Sequence, residues 1–186
     1  MEKQILIAGF GGQGVMMLGK LLSFATCEHT DKNITFFPSY GAQQRGGTAN
    51  CFVTISDDPI GAPLGEEQDD LIILNEPSLD RFLKNVKPGG NLFVNSSLVK
   101  KEIARDDVQV IEAPVTDLAL ELGSPKVVNI VMLGVYIGYE NTIDEEIMKA
   151  TILKKLGRKP ALIPLNEAAF ARGLEIGKAA REKKQS

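Results

Sequence analysis

A single-domain, three-layer α/β/α fold with a largely parallel sheet is what this 186-residue sequence predicts. Three observations lead there. Short apolar runs without alternation recur along the chain, as strands covered on both faces require. Segments with apolar residues at helical spacing separate most of these runs, which is the alternation of a βα winding. Glycine, at 18 residues, exceeds the usual ~7%, and its densest cluster falls where the first strand gives way to the first helix.

The elements follow in order. Gln4–Gly9 carries Ile5, Leu6, Ile7 and Ala8 as a buried strand. Gly12–Cys27 reads as a helix, with Val15, Leu18, Leu22 and Ala25 on one face and Gly19 allowing close packing. Further strands are expected at Ile34–Pro38, Ala49–Ile55, Leu71–Leu74, Asn91–Asn95, Val108–Glu112 and Ala161–Pro164, with helices at Ser78–Asn85, Thr116–Leu122, Ser124–Tyr139 and Thr142–Leu156. Ser124-Pro125 supplies an N-cap and a first-turn proline, and Gly157 stands where a C′ glycine belongs. Asn166 caps a last helix through Phe170 and Leu174 toward Lys183. Pro88-Gly89-Gly90 is a turn. No repeat, low-complexity tract or linker divides residues 1–186.

Composition excludes several activities. The chain holds one histidine, two cysteines and no tryptophan. Cys27 and Cys51 are 24 residues apart, without a CxxC. A structural zinc site needs about four such ligands and an iron–sulfur cluster usually about four thiolates, so no metal-binding residue is expected. Two thiols without a disulfide framework favour a reducing cytoplasm. His29 follows Glu28 at the apparent end of a helix and reads as a solvated surface residue, so no catalytic residue is expected either. A net charge of −3 argues against nucleic acid as a partner. No apolar run reaches the ~18 residues of a membrane span. Between Asp57 and Asp80 stand eight acids and no lysine or arginine. Such a block reads as a solvated loop face or as a docking surface for a basic partner.

The strongest local motif is Gly9-Phe10-Gly11-Gly12-Gln13-Gly14, a G-x-G-x-x-G placed directly after the first strand. In that position the winding is Rossmann-like: the glycines either let free N–H groups at the helix start meet an anion or nucleotide, or serve only a tight packing turn with no ligand. The usual acidic residue at the end of the second strand is missing. Glu28 and Asp31 have about the right separation but precede that strand, which disfavours a hydride-transferring dinucleotide enzyme. A second segment, Pro38 to Asn50, holds Ser39, Tyr40, Arg45, Gly46, Gly47 and Thr48. Arg45 is the only charge from Thr35 to Ser56. Its planar fork either meets a phosphate or carboxylate ligand beside the Gly46-Gly47 backbone, or pairs with a structural carboxylate. If strands one and two are adjacent, as in simple winding, both glycine segments flank one crevice. Asn129, inside an apolar helix, is a structural amide bonded to a neighbouring loop or a pocket residue; the former is preferred.

Residues 9–14 together with Ser39-Tyr40-Gly41-Ala42-Gln43-Gln44-Arg45-Gly46-Gly47-Thr48-Ala49-Asn50-Cys51 resemble the gamma subunit of 2-oxoacid:ferredoxin oxidoreductases. The likeness continues through Ile55-Ser56 with Pro59-Ile60, Asp70-Leu71-Ile72, Asn129 with Leu133-Gly134, and Asn166 with Ala169-Phe170. Arg45–Asn50 is most similar to the 2-oxoglutarate type, with 2-oxoisovalerate and pyruvate types next. Ala42-Gln43 departs from the Pro-Glu or Ala-Glu pair frequent in the family.

The resemblance implies a multi-subunit enzyme that oxidatively decarboxylates a 2-oxoacid to an acyl-CoA and reduces ferredoxin. Thiamine diphosphate, Mg²⁺ and [4Fe–4S] clusters would belong to alpha, beta and ferredoxin-like delta subunits. This chain would bind no cofactor alone. Gly9, Gly11, Gly12, Gln13, Gly14, Ser39, Tyr40, Arg45, Gly46, Gly47 and Thr48 would contact coenzyme A or the facing subunit. The alternatives are the beta subunit of an indolepyruvate:ferredoxin oxidoreductase, which shares the opening glycine motif, and a free-standing nucleotide-binding module.

Overall fold

The computed structural model describes residues 1–40, 48–62 and 64–185. Six strands form one sheet: β1 (Glu2–Phe10), β2 (Asn33–Tyr40), β3 (Thr48–Ser56), β4 (Gln68–Ile73), β5 (Val86–Asn95) and β6 (Gln109–Ala113), in the order β2-β3-β1-β4-β5-β6. The helices are α1 (Val15–His29), α2 (Glu76–Phe82), α3 (Val115–Glu121), α4 (Val128–Glu140), α5 (Glu145–Leu156) and α6 (Ile163–Gln185). β1, β4, β5 and β6 pair in parallel, whereas β3 runs antiparallel to both β1 and β2. Only β3 is reversed, so the expected largely parallel α/β/α architecture holds.

The expected adjacency of strands one and two does not. Seven residues join β2 to β3, a link too short for a crossover helix, so the two pair as antiparallel neighbours. β3 then takes the place beside β1, and β2 is displaced to the edge, where Pro38 costs no ladder bond on its open side. Because β3 opposes both neighbours, β1 and β2 still end on the same side of the sheet. Phe10 stands opposite Thr48, and Tyr40 opposite Ala49.

Ile5, Ile7, Cys51, Val53, Ile72 and Phe93 face a large core shared with α1, α3 and α4, which α5 and α6 extend. Leu6, Ala8, Leu71, Ile73, Leu92 and Val94 face a thinner layer under α2. Val15, Leu18, Leu22 and Ala25 are buried as their spacing predicts. A Cβ on Gly19 would stand 2.7 Å from Cys51 Sγ and 2.9 Å from Phe36 Cε2, so this glycine sets the spacing of α1 on the sheet.

Every α4 residue from Val128 to Tyr139 is buried, because the sheet covers one side and α6 the other. Gly134 and Gly138 of α4 meet Gly173 and Gly177 of α6, and the two backbones touch where side chains are absent. Beneath this crossing Asp70 is 0% exposed. It accepts from Tyr136 Oη at 2.8 Å and Asn91 Nδ2 at 2.9 Å, and pairs with Lys3 Nζ at 3.0 Å. Lys3 also bonds Glu140. Burial works against the Lys3 charge, but Asp70 and Glu140 outweigh it and the ammonium pKa is raised.

Several expectations need correction. Ala161–Pro164 is no strand: Pro160–Leu162 forms a 3₁₀ turn leading into α6. Pro160 and Pro164 suit a helix start, where no N–H is needed, and their presence hides a helix behind a strand-like apolar run. Asn166 consequently lies inside α6 rather than at its cap, and is 9% exposed. Gly157 follows α5 at φ −72, so its value is close packing on Leu153 and not a left-handed turn. Ser124 does cap, accepting from the Lys126 N–H, but of a 3₁₀ turn (Pro125–Val127) that precedes α4. The acidic block is not purely solvated, although Asp58, Glu66 and Glu67 are exposed and make no ion pair among the described residues. Asp57 pairs with the N-terminus and Lys32, Asp69 with Lys87, Asp80 with Lys101, and Asp70 is buried. No helix of the described residues is long and apolar enough to cross a membrane.

Candidate functional site

The turn between β1 and α1 is built from glycine for three separate reasons. Gly12 and Gly14 adopt φ of +100 and +77, where other residues are strained. A Cβ on Gly9 would stand 2.7 Å from Gln13 Oε1 and 3.0 Å from Leu74 Cβ. One on Gly14 would reach 2.5 Å from Asn129 Cγ. Gly11 and Gly12 are exposed.

Gln13 locks this turn. Its Oε1 accepts from Phe10 N at 2.6 Å and from Asn75 Nδ2 at 3.1 Å, while Nε2 donates to Leu74 O at 3.1 Å. Asn75 in turn accepts from Ser78 N at 2.9 Å and caps α2. Asn95 Nδ2 donates to the same Leu74 carbonyl at 3.0 Å and to Thr116 Oγ1 at 2.9 Å. A row of amides thus ties the carboxyl ends of β1, β4 and β5 to the starts of α2 and α3. The Gln13 side chain is engaged by the turn itself, its oxygen accepting twice and its amide nitrogen donating once.

The start of α1 is bare. Gly14 offers no side-chain cap and no acid stands in the first turn, so the first N–H groups and the helix dipole are open to an anion. Gly14 and Met17 at this helix start line a cleft of about 420 Å³. Its apolar floor includes Met17, Ile130, Leu156 and Leu165, and Lys126, Lys155, Arg158 and Lys159 stand around it without an acidic residue among the lining groups. Lys155 is held by Glu28 at 2.8 Å and lies 3.7 Å from the Phe24 ring centroid. Hydrogen bonds from Lys154 and Lys155 bring the Glu28 carboxyl down to about 2. Lys126, Arg158 and Lys159 make no ion pair among the described residues. Asn129 and Asn166 complete the wall. Asn129 is 5% exposed and has no hydrogen-bond partner among the described residues, which removes the preferred reading of it as an amide bonded to a loop.

Of the second segment, Ser39 and Tyr40 end β2 and Thr48 opens β3, at the same end of the sheet as the glycine turn. Arg81 Nη1 donates to Thr48 Oγ1 at 3.4 Å. Arg45, Gly46 and Gly47 lie outside the described residues. The sequence reading missed Lys126, Lys155, Arg158, Lys159 and Asn166 as members of one site. The run Lys154-Lys155-Leu156-Gly157-Arg158-Lys159 was the available signal, four cations within six residues. Cys51 is buried, and burial pushes its thiol up to about 12, which makes it inert.

A family model described as pyruvate ferredoxin/flavodoxin oxidoreductase matches residues 4–176. The ketoisovalerate oxidoreductase subunit VorA of Methanothermobacter thermautotrophicus is 35% identical over 94% of this chain, which spans 36% of that protein's length. The 2-oxoglutarate synthase subunit KorC of Methanocaldococcus jannaschii is 34% identical over 96% of this chain and 95% of its own. The solved gamma subunit of a keto/oxoacid ferredoxin oxidoreductase from Geobacter sulfurreducens superposes with a TM-score of 0.86 at 29% identity, over 97% of this chain and 98% of that one. A 2-oxoglutarate:ferredoxin oxidoreductase from Magnetococcus marinus, solved with 2-oxoglutarate, coenzyme A and succinyl-CoA, shares the fold at a TM-score of 0.87 and 24% identity, over 96% of this chain and 31% of that one.

Proposed function

The chain belongs to the pyruvate ferredoxin/flavodoxin oxidoreductase family, and we propose that it is the gamma subunit of a cytoplasmic 2-oxoacid:ferredoxin oxidoreductase of the 2-oxoglutarate type. Its alpha and beta partners, with a ferredoxin-like delta subunit, carry the thiamine diphosphate, Mg²⁺ and [4Fe–4S] clusters. Those groups supply the decarboxylation and the passage of electrons to ferredoxin. This chain contributes a binding surface for coenzyme A.

The observation that carries the reading is the uncapped α1 N-terminus, set in a cleft with three unpaired cations and a buried, unpartnered Asn129. The first-turn N–H groups donate to a phosphate placed along the helix dipole. Lys126, Arg158 and Lys159 neutralise further phosphate charge, and the apolar floor takes uncharged parts of the ligand. Gln13 and Asn75 keep the glycine turn in the conformation that leaves those N–H groups open. Arg45, with Ser39, Tyr40 and Thr48, adds contacts from the neighbouring loop or meets a partner subunit there.

The 2-oxoglutarate type is favoured by a KorC relative of matching length and by Arg45–Asn50. A second reading has one supporting observation: the indolepyruvate oxidoreductase subunit IorB of Thermococcus kodakarensis is 27% identical over 95% of this chain. Substrate profiling of the assembled enzyme separates the two. Purification through a tag on this chain tests the assembly. Co-purifying subunits with iron–sulfur absorbance, and viologen reduction that requires both 2-oxoglutarate and coenzyme A, are expected. A lone colourless chain that binds NAD tightly would instead identify a free-standing nucleotide-binding module.

A further inference from the structure

β6 closes one end of the sheet order, so its main chain pairs with β5 on one side and, among the described residues, with nothing on the other. That open side forms one wall of a groove of about 440 Å³. Four consecutive β6 residues, Gln109 to Glu112, line it, so the strand's backbone as well as its side chains faces the space. Ile176 and Ala180 of α6 make the opposite wall, with Tyr139 behind them and Lys183 and Lys184 at the rim. Lys184 lies 5.4 Å from the Tyr139 ring centroid, and Lys183 has no partner among the described residues.

An open strand edge facing a helix is the geometry in which an extended peptide adds a strand. Its main chain pairs with the edge, and alternate side chains enter the groove. The other edge of this sheet is guarded by Pro38 in β2; β6 has no proline and no bulge. The small Ala180 side chain leaves room for an apolar side chain over Tyr139 and Ile176. Lys183 and Lys184 at the rim outnumber the one carboxylate of the lining, Glu112, so the groove carries a net positive charge that favours a segment bearing carboxylates. We propose that the β6/α6 groove seats an extended, carboxylate-bearing segment of a partner subunit, added to the sheet as a seventh strand.

The proposal rests on the assembly reading above, so its test uses the native complex purified through a tag on this chain. Hydrogen exchange of residues 109–112 is compared between the complex and the free chain, alongside a Lys183→Glu/Lys184→Glu variant. Slowed exchange at β6 in the complex is expected, with partner affinity about 10-fold weaker in the charge-reversed variant. A complex that forms while β6 exchange and variant affinity stay unchanged overturns this proposal and leaves the assembly standing. A chain that purifies without any partner overturns both. Protection that grows with the concentration of the free chain overturns the partner segment in favour of a second copy.

Discussion

Replacing Gly173 by alanine sets two physical effects against each other. In an isolated helix the change stabilises by up to about 1 kcal/mol, because alanine has the higher helix propensity. At this position a Cβ would run into the Val131 carbonyl and stand 2.9 Å from both Gly134 Cα and Val135 N. All three are backbone atoms of a buried helix, so no rotamer change relieves them. Overpacking of that kind costs about 1–3 kcal/mol or more, and here α6 must move off α4 along a crossing that also holds Gly138 and Gly177. We expect a net loss of about 2 kcal/mol, hence a fall in Tm of about 4–8 °C for a chain of this size. Gly61→Ala is the reference, since a Cβ there meets nothing within 4 Å and no positive φ intervenes. It should leave stability unchanged or raise it, by about 0.4–1 kcal/mol at most. Calorimetry of the two variants beside the parent decides the matter. A Gly173→Ala protein that gains stability, as propensity alone dictates, would refute the close α4–α6 crossing.

The glycine turn and the cleft make further predictions. Gln13→Ala leaves Phe10 N–H and Asn75 without their acceptor and should weaken coenzyme A binding about 10-fold or more by releasing the turn; unchanged binding with faster exchange at residues 10–17 would deny the link between turn and ligand. Arg45→Ala should raise the KM for coenzyme A in an enzyme that assembles normally, and an unchanged KM would assign Arg45 to a structural pair. Glu28→Gln should free Lys155 and alter the acid limb of stability. With its carboxyl lowered to about 2, Glu28 contributes stability that is present above its unfolded value near 4.5 and lost as pH falls toward 2. The parent and variant should therefore differ in urea stability at pH 6 and converge near pH 2, with the gap shrinking in about 1 M salt. A gap that persists at pH 2 would refute the ion pair.

The strand-helix alternation was legible because buried strands and the α1 face follow simple periodicities, and five of six strand positions lie in one direction as alternation implies. Strand order was not legible. The seven-residue link after Tyr40 decides that β2 turns back on β3, and its length carries more weight than the apolar pattern on either side. Pro160 and Pro164 concealed the start of α6, since proline at a helix start looks like a helix breaker when the following turn is apolar. For the site, the glycine turn announced itself locally. The cations did so only in part: Lys155, Arg158 and Lys159 form a visible run, but Lys126 comes from the turn before α4, and only the packing of α5 on α1 and of α6 on α4 brings it to them. Gln13 was assigned to a ligand because the motif names the position, while its hydrogen bonds to Leu74 and Asn75 depend on a strand 60 residues away.

The most direct test of the cleft is the kinetics of an Arg158→Ala/Lys159→Ala variant of the assembled enzyme. Both residues are exposed and unpaired, so assembly and Tm should be retained. A charge-assisted contact is worth about 1.5–3 kcal/mol. The KM for coenzyme A should therefore rise about 10- to 100-fold, while kcat at saturating coenzyme A and the KM for 2-oxoglutarate hold. An unchanged KM for coenzyme A in that variant would contradict the account.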